Sequence, residues 1–246
     1  MKGKNMERLD KFLSEAGAAS RKELKAMLKA GAVRVNDRVV TDGAAKVDPT
    51  SDQITLYGTP VEGRRQVVLI LYKPAGYVTS TEDPRDKTVM ELIPERYLRQ
   101  KVVPVGRLDK ETEGLLLLTN DGALAHRLIS PKYEVEKVYY ARHEGIAGAE
   151  DVAAFHTGLI LKDGTRCRPA LLWPIGPGES EITVTEGKYH QVRRMMASRG
   201  MPVLYLRREK EGNLDLRGLD PGQVRELSPE EIAEIAEAER SGKSDL

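Results

Sequence analysis

The apolar residues of this chain come in short runs separated by glycine, proline and charged residues. Runs such as Val67–Tyr72 and Leu115–Thr119 have the length of a β-strand, and none approaches the ~20 residues that a membrane-spanning helix needs. Other segments repeat their apolar residues every three to four positions, as one face of a helix does. A chain with this pattern builds its core from short strands and helices, so we predict an α+β fold without a membrane segment.

Residues 1–58 have the pattern of a compact unit of two helices and a small sheet. Four apolar residues repeat at helical spacing and predict the first helix: Leu9, Phe12, Leu13 and Ala16. Ser20, followed three residues later by Glu23, predicts a capping box at the start of the second helix. Valines on both sides of the turn-prone pair Asn36-Asp37 predict a hairpin, and Ile54–Leu56 predicts one more strand.

Residues 59–65 are polar, contain glycine and proline, and are predicted to be a linker to a second domain over residues 66–246. Six segments of that domain are strand candidates: 67–72, 102–105, 115–119, 137–142, 181–185 and 203–207. Four segments are helix candidates: 123–129, 149–156, 190–199 and the segment after Ser228. Because these elements do not alternate regularly, we predict a mixed, largely antiparallel sheet flanked by helices.

The charge distribution favours a polyanionic partner although the net charge is only +1. From Leu219 onward there are eight acids and three bases, so an acidic tail masks a basic body. The single cysteine, Cys167, excludes an intramolecular disulfide and fits the cytoplasm. The four histidines lack metal-ligand spacing, and no glycine-rich nucleotide loop is present, so we expect neither a metal nor a cofactor.

The second predicted helix carries a stripe of positive charge. Its basic residues share one side at helical spacing: Arg21, Lys22, Lys25 and Lys29. Arg34 in the predicted hairpin extends this stripe. Such a surface binds a phosphate backbone by charge, but a charged helix face is more often simply solvated, and the residues alone leave both interpretations open.

Three segments hold residues capable of chemistry: K-P-A-G from Lys73, G-R-L-D-K-E-T-E-G-L-L-L-L-T-N-D-G from Gly106, and E-G-K-Y-H-Q-V-R-R-M from Glu186. Asp109 lies in a loop between two apolar strands, where an ionised carboxylate can act as nucleophile or base. Arg193 or Arg194 would keep it ionised by lowering its pKa. When the residues are taken alone, the favoured interpretation is an aspartate that only makes a turn.

The first unit resembles the S4 RNA-binding domain over residues 7–57. The similarity rests on R-L-D-K-F-L from Arg8, on the S-R pair at Ser20 and on G-A-V-R-V-N-D-R-V-V from Gly31. It implies that five residues on one side of this unit contact RNA: Ser20, Arg21, Lys22, Lys25 and Arg34. Lys29 continues the same face, and we expect it to contact RNA as well.

All three segments together resemble the pseudouridine synthases of the RsuA type, within the group that includes the RluB, RluE and RluF kinds. The resemblance implies that Asp109 is the catalytic aspartate, that Arg193 pairs with it, and that Tyr139 stacks on the target base. Tyr140 follows directly, but strand alternation sends the two rings to opposite faces. The resemblance implies four further RNA contacts: Lys73, Arg107, Lys188 and His190. For Lys73, a structural role is equally open.

The reaction that the resemblance implies breaks the N1–C1′ bond of a uridine, turns the base, and joins C5 to C1′ without a cofactor. The uridine has to leave its stack, so base flipping is expected. The implied substrate is ribosomal RNA, or a ribosomal subunit assembly intermediate, acted on by a cytoplasmic monomer. The E-D-P loop at Glu82 and the short C-terminal tail favour 16S over 23S RNA.

Two other functions stay open at this point. A non-catalytic factor for ribosome assembly would use the same RNA-binding features without chemistry. A hydrolase of sugar bonds would use two carboxylates, Asp109 and Asp121, but it would leave the K-P-A-G and H-Q-V-R segments without a purpose.

Overall fold

The computed structural model describes residues 6–49, 51–62 and 66–241, with side chains as far as Ile235. The described part divides into two compact units, which lie within Met1–Gln66 plus Glu95–Lys101 and within Val67–Pro94 plus Val102–Leu246. We refer to them as the N-terminal unit and the C-terminal unit. Parts of the predicted domains and linker lie outside the described residues: 1–5, Thr50, 63–65 and 242–246. Within the described ranges, no helix combines the length and the apolar character needed to cross a membrane.

The described residues of the N-terminal unit form three helices and six short strands. In chain order they are β1 Glu7–Arg8, α1 Leu9–Glu15, α2 Arg21–Lys29, β2 Val33–Val35, β3 Arg38–Val39, β4 Lys46–Val47, β5 Ile54–Leu56, β6 Thr59–Pro60 and α3 Glu95–Arg99. Four strands form an antiparallel sheet in the order β3-β2-β5-β6, and β1 pairs with β4. The two predicted helices, the hairpin and the strand over Ile54–Leu56 are confirmed.

Local chemistry accounts for these elements. The Ser20 hydroxyl accepts a hydrogen bond from the Glu23 amide, and the Glu23 carboxylate accepts one from the Ser20 amide, so the predicted capping box forms. Asn36 and Asp37 take the left-handed backbone conformation, with φ of 48° and 65°, which a two-residue hairpin requires. The apolar faces of α1 and α2 bury Leu9 and Leu24 against the sheet residues of one core.

Two sequence predictions for this unit need correction. The predicted linker contributes β6, because Thr59 and Pro60 pair with β5 and extend the sheet. Residues 95–101 were assigned to the second domain, but they group with the N-terminal unit, where Gly17 lies against Arg99. The contact of Gly17 with Arg99 joins segments that lie far apart in the sequence, so no local pattern indicates it. The pairing of β5 with β6 is instead a local hairpin, since Tyr57 and Gly58 between the strands have the positive φ values of a two-residue turn, 51° and 79°.

The C-terminal unit is built on one large sheet. Its elements are β7 Val68–Lys73, β8 Val103–Val105, β9 Glu113–Thr119, α4 Gly122–Ile129, β10 Lys137–His143, α5 Ala149–Thr157, β11 Leu171–Gly176, β12 Glu179–Val184, α6 Gln191–Ser198, β13 Val203–Glu211, β14 Leu214–Asp215, β15 Val224–Glu226 and α7 Pro229–Ser241, with 3-10 turns at Val89–Leu92 and Pro131–Tyr133. The strand order is β11-β12-β10-β13-β9-β7-β15, with β14 beside β13 and β8 beside β9.

The predicted sheet type is confirmed. Of the strand pairs that the described residues form in this unit, β13 with β9 is parallel and the others are antiparallel. All six predicted strands and all four predicted helices are present within a few residues of their expected bounds. The sequence did not predict β11, whose Pro174 argues against a strand, and β11 tolerates that proline because it lies at the sheet edge.

Two apolar cores hold helices against this sheet. One core packs α5 and α6 on the half that contains β10 and β12, and the other packs α4 and α7 on the half that contains β7 and β9. The four leucines Leu115–Leu118 of β9 are fully buried, as predicted, because β9 is covered on both faces. The loop that carries Asp109 therefore leads directly into a rigid strand.

Gly114 brings β9 close to β13 at their parallel contact. It pairs with Arg208, has a φ of +106°, and has no room for a side chain, since a Cβ there would overlap the Arg208 carbonyl oxygen. The glycine of the T-E-G motif is therefore required by the approach of two backbones.

We expect Gly114→Ala to lower the free energy of unfolding by about 3 kcal/mol, because the added methyl group meets the Arg208 backbone. Chemical denaturation of the purified protein measures this loss. Gly122→Ala is the matched control, since a Cβ at Gly122 has no neighbour within 4 Å. Equal unfolding free energies for the two variants would show that β9 and β13 do not need this close approach.

Candidate active site

The loop that carries Asp109 is braced by hydrogen bonds on both sides. The Thr79 hydroxyl donates to the Leu108 carbonyl at 2.8 Å and accepts from the Leu108 amide at 3.1 Å. The Gly76 amide donates to the Lys110 carbonyl at 2.9 Å. The backbone on each side of Asp109 is thus held by the segment that follows β7.

Lys73 strengthens this brace from inside the protein. Its side chain is fully buried, and its ammonium donates to the carbonyls of Pro74, Lys110 and Thr112 at 3.0, 3.1 and 2.8 Å. Burial lowers the pKa of Lys73 to about 8. All three N–H groups of the ammonium are used by backbone carbonyls, which favours the structural alternative for Lys73, and its RNA contact stays a prediction.

Asp109 opens onto a cavity of about 430 Å³ in the C-terminal unit. Its side chain is about one-third exposed, at 33%. The cavity brings together five of the residues predicted for the site with Asp109: Tyr139, Arg193, Arg107, Lys188 and His190. Asp109 therefore lies among cations and an aromatic ring, as an anionic substrate with a flat base requires.

The two adjacent tyrosines separate as strand alternation predicts. Tyr139 is half-buried, lines the cavity and packs against the core of α5 and α6, and burial raises its pKa. Tyr140 points to the other face of the sheet, where its ring meets Tyr205 edge-on at 6.2 Å. The choice of Tyr139 as the tyrosine beside Asp109 thus agrees with its position.

A buried cationic cluster forms the floor of the cavity. Arg208 is 2% exposed, donates from Nε to the Leu115 carbonyl at 2.7 Å, and pairs through Nη2 with Glu211 at 3.0 Å. Lys137 approaches the same carboxylate at 3.8 Å. Burial opposes the charge on Arg208, but Glu211 and the Tyr139 hydroxyl together outweigh it, and the pKa of Arg208 is raised.

Arg208 was not among the predicted site residues, although the sequence of β13 contains a signal for it. Arg208 follows the buried Leu206 by two positions in β13, so it points to the same interior face. The consecutive pair Arg207-Arg208 resembles a solvated charge run unless this alternation is taken into account.

The ion pair predicted between Arg193 and Asp109 does not form. The Arg193 guanidinium donates to the carbonyls of Val203 and Glu111, at 3.2 and 3.3 Å. It therefore steadies the Asp109 loop through the backbone of Glu111. Arg194, the other candidate partner, pairs with Asp163 at 2.5 Å.

The side chain that does approach Asp109 is His190, with Nε2 at 3.4 Å from Oδ1. His190 has a left-handed φ of 47° and precedes α6, which starts at Gln191, one residue later than predicted. The loop before it is held by Glu186, which is 8% exposed and pairs with Lys188. Burial opposes ionisation of Glu186, but Lys188, the Arg168 amide and the Gln191 side chain together outweigh it, and the pKa of Glu186 falls below its ordinary value.

The RNA contacts predicted in the N-terminal unit are all exposed: Ser20, Arg21, Lys22, Lys25, Lys29 and Arg34. Leu24 and Leu28 occupy the buried face of α2, so the four basic residues of this helix lie on its solvent side. The Ser20 hydroxyl is already used in the helix cap, and the Arg34 guanidinium donates to the Asp37 carbonyl at 3.1 Å. Their contacts with RNA stay predictions.

Asp121 is not placed to work with Asp109. Its carboxylate caps α4 by accepting from the amides of Ala123 and Leu124 at 2.9 and 3.1 Å. The seven residues of β9 separate the two aspartates, which corresponds to roughly 20 Å. Paired carboxylates of sugar-bond hydrolases lie within about 10 Å, so this geometry argues against that alternative. No cluster of three or more metal-binding side chains occurs among the described residues.

A rigid mixed sheet that carries a carboxylate, a tyrosine and several cations around one cavity defines an enzyme-type site for an aromatic, anionic substrate. Residues 67–198 match the family model described as RNA pseudouridylate synthase, and residues 7–54 match the S4 domain. The chain therefore belongs to the RNA pseudouridine synthase family. The predicted enzyme class, an isomerase of this kind, and the predicted S4 domain are confirmed.

Similar proteins cover almost the whole chain. It is 39% identical over 244 residues to the ribosomal large subunit pseudouridine synthase B of Bacillus subtilis (strain 168), covering 97% of this chain and 99% of the relative. It is 39% identical over 233 residues to the ribosomal small subunit pseudouridine synthase A of Yersinia pestis, covering 93% and 97%. A crystal structure of a pseudouridylate synthase matches with a TM-score of 0.66 at 32% identity, covering 93% of this chain and 99% of that chain.

Proposed function

We propose that this protein converts a specific uridine of ribosomal RNA into pseudouridine, with Asp109 as the catalytic carboxylate. The observation that carries the proposal is the position of Asp109 and Tyr139 in one cavity of a family fold. The names of similar proteins, which refer to both ribosomal subunits, support RNA of the ribosome as the substrate. The reaction would take place in the cytoplasm, on RNA or on a subunit assembly intermediate.

The cavity suggests a role for each group. The flipped uracil would stack on Tyr139, whose ring lines the cavity. Asp109, at the mouth, would act on the uridine as nucleophile or base while the N1–C1′ bond breaks and the C5–C1′ bond forms. Arg208 beneath Tyr139 would hold the ring in place, and Lys73 and Arg193 would keep the Asp109 loop rigid.

For the target we propose 16S RNA, on the E-D-P loop at Glu82. The second candidate is 23S RNA, because the Bacillus subtilis relative named for the large subunit is as similar as the Yersinia pestis relative named for the small one. The decisive experiment incubates the protein separately with 16S and 23S transcripts and with partly assembled subunits, and maps new pseudouridines. Isomerisation leaves the RNA mass unchanged, whereas release of free uracil would identify a hydrolase and overturn the proposal.

We further propose that the basic face of α2 holds the RNA by its phosphates. Replacing Arg21, Lys22, Lys25 and Lys29 together by glutamine should flatten the plot of log affinity against log salt by about 3, or about 0.7 for each lost contact to single-stranded RNA. The matched control replaces Lys11 and Lys46, which are exposed on other elements of the same unit. An unchanged slope in the α2 variant would mean that this face neutralises no phosphates.

A further inference from the structure

The loop before α6 presents an aromatic surface that the reaction as described does not use. The Tyr189 ring stacks on the His190 imidazole, with centroids 3.9 Å apart and 15° between the planes. Tyr189 is nevertheless 76% exposed, so the ring face turned away from His190 is open. A large ring held flat against a neighbour and exposed on its other face is suited to stacking on a nucleobase.

This loop is held in place rather than free to collapse. The buried Glu186 carboxylate accepts hydrogen bonds from the Arg168 amide at 2.9 Å and from the Gln191 side chain at 2.8 Å. The Gln191 side chain in turn accepts from the Lys188 amide at 2.9 Å, and Arg194 donates to the Tyr189 carbonyl at 3.3 Å. Because the backbone on both sides of Tyr189 is fixed, stacking on this ring costs little conformational entropy.

Tyr189 separates two cavities of the C-terminal unit. On one side lies the cavity of Asp109, which His190 approaches at 3.4 Å. On the other side lies a second cavity of about 450 Å³, to which Tyr189 also contributes. Leu161 and Ala197 give the second cavity apolar walls, and Lys162 and Arg194 give it cationic ones, with Arg194 already paired to Asp163.

We propose that this second cavity binds an unpaired nucleobase of the substrate strand next to the target uridine, with Tyr189 as its stacking platform. An apolar wall beside an open aromatic ring fits the two faces of a base, and the exposed Lys162 lies where the backbone phosphate would follow. Since His190 joins the platform to Asp109, the nucleotide bound here lies beside the one that reacts. This inference rests on the proposed function and adds a binding site to it.

The first test measures RNA affinity at constant salt, with a fragment that carries the uridine mapped in the transcript experiment. Tyr189→Leu removes the ring and should weaken binding about tenfold, the effect of losing one stacked base. Tyr189→Phe keeps the ring and should recover most of that loss. Trp173→Leu is the matched control: Trp173 is 72% exposed on the edge strand β11, lines neither cavity, and should bind like wild type.

The second test removes bases from the RNA instead. Abasic nucleotides are placed singly on either side of the uridine, and one of them should weaken binding to the wild type about tenfold while leaving binding to Tyr189→Leu unchanged. The inference is overturned if every abasic nucleotide weakens binding to the wild type and to Tyr189→Leu by the same factor, or if the two proteins bind the intact RNA equally well. Neither result affects the proposed function, because the wild type would still form pseudouridine. If the wild type forms no pseudouridine in any ribosomal RNA, the proposed function fails and this inference falls with it.

Discussion

Asp109→Asn is expected to fold like the wild type and to lose pseudouridine formation by more than about 10³-fold, because a neutral amide cannot serve as nucleophile or base. The side chain is one-third exposed, at 33%, and the His190 imidazole approaches it at 3.4 Å. A change at such a position should alter the free energy of unfolding by no more than about 0.5 kcal/mol. Single-turnover conversion of the mapped RNA, with thermal unfolding alongside, measures both quantities.

Asp121→Asn is the matched control for this substitution. It makes the same chemical change at the other aspartate of the motif, and asparagine caps a helix about as well as aspartate. We expect Asp121→Asn to retain turnover and stability close to wild type. Retention of a tenth of wild-type turnover by Asp109→Asn would show that another group performs the chemistry, and loss of turnover in both variants would reopen a mechanism with two carboxylates.

Arg208→Met should lower the free energy of unfolding by about 3 kcal/mol, because it leaves the buried Glu211 without its main partner. Arg208 and Glu211 are each 2% exposed, and Lys137 at 3.8 Å can replace only part of the lost attraction. Turnover should fall as well, by more than about tenfold, since the guanidinium that interacts with the Tyr139 hydroxyl on the cavity floor is removed. Denaturation and single-turnover rates at saturating enzyme separate the two effects.

Two further variants separate the effect of Arg208 on the free energy of unfolding from its effect on turnover. Arg207→Met changes the adjacent arginine, which lies on the opposite face with 35% exposure and pairs with Glu209, so it should cost at most about 1 kcal/mol. The double variant Arg208→Met with Glu211→Gln removes the unpaired carboxylate and should recover much of the stability without the turnover. Recovery of both quantities in the double variant would mean that Arg208 serves the fold alone.

Much of this fold was predictable because its signals are local. An amphipathic helix repeats its apolar residues along the sequence, and a cap or a two-residue turn depends on neighbours within four positions. Ser20 with Glu23 and the Asn36-Asp37 turn therefore formed as predicted. The motif around Asp109 likewise placed that residue in a loop before a buried strand, and Tyr139 on the strand face that reaches it.

The remaining features depend on atoms that lie far apart in the chain. The Lys73 ammonium bonds to the backbone of the Asp109 loop, which folds over it, and no pattern near Lys73 indicates that loop. Arg193 bonds to backbone carbonyls instead of Asp109, and Arg208 takes the buried position beneath Tyr139. The burial of a charge and the choice of its partner are properties of assembled strands, whereas helical periodicity, caps and turns act within a few residues.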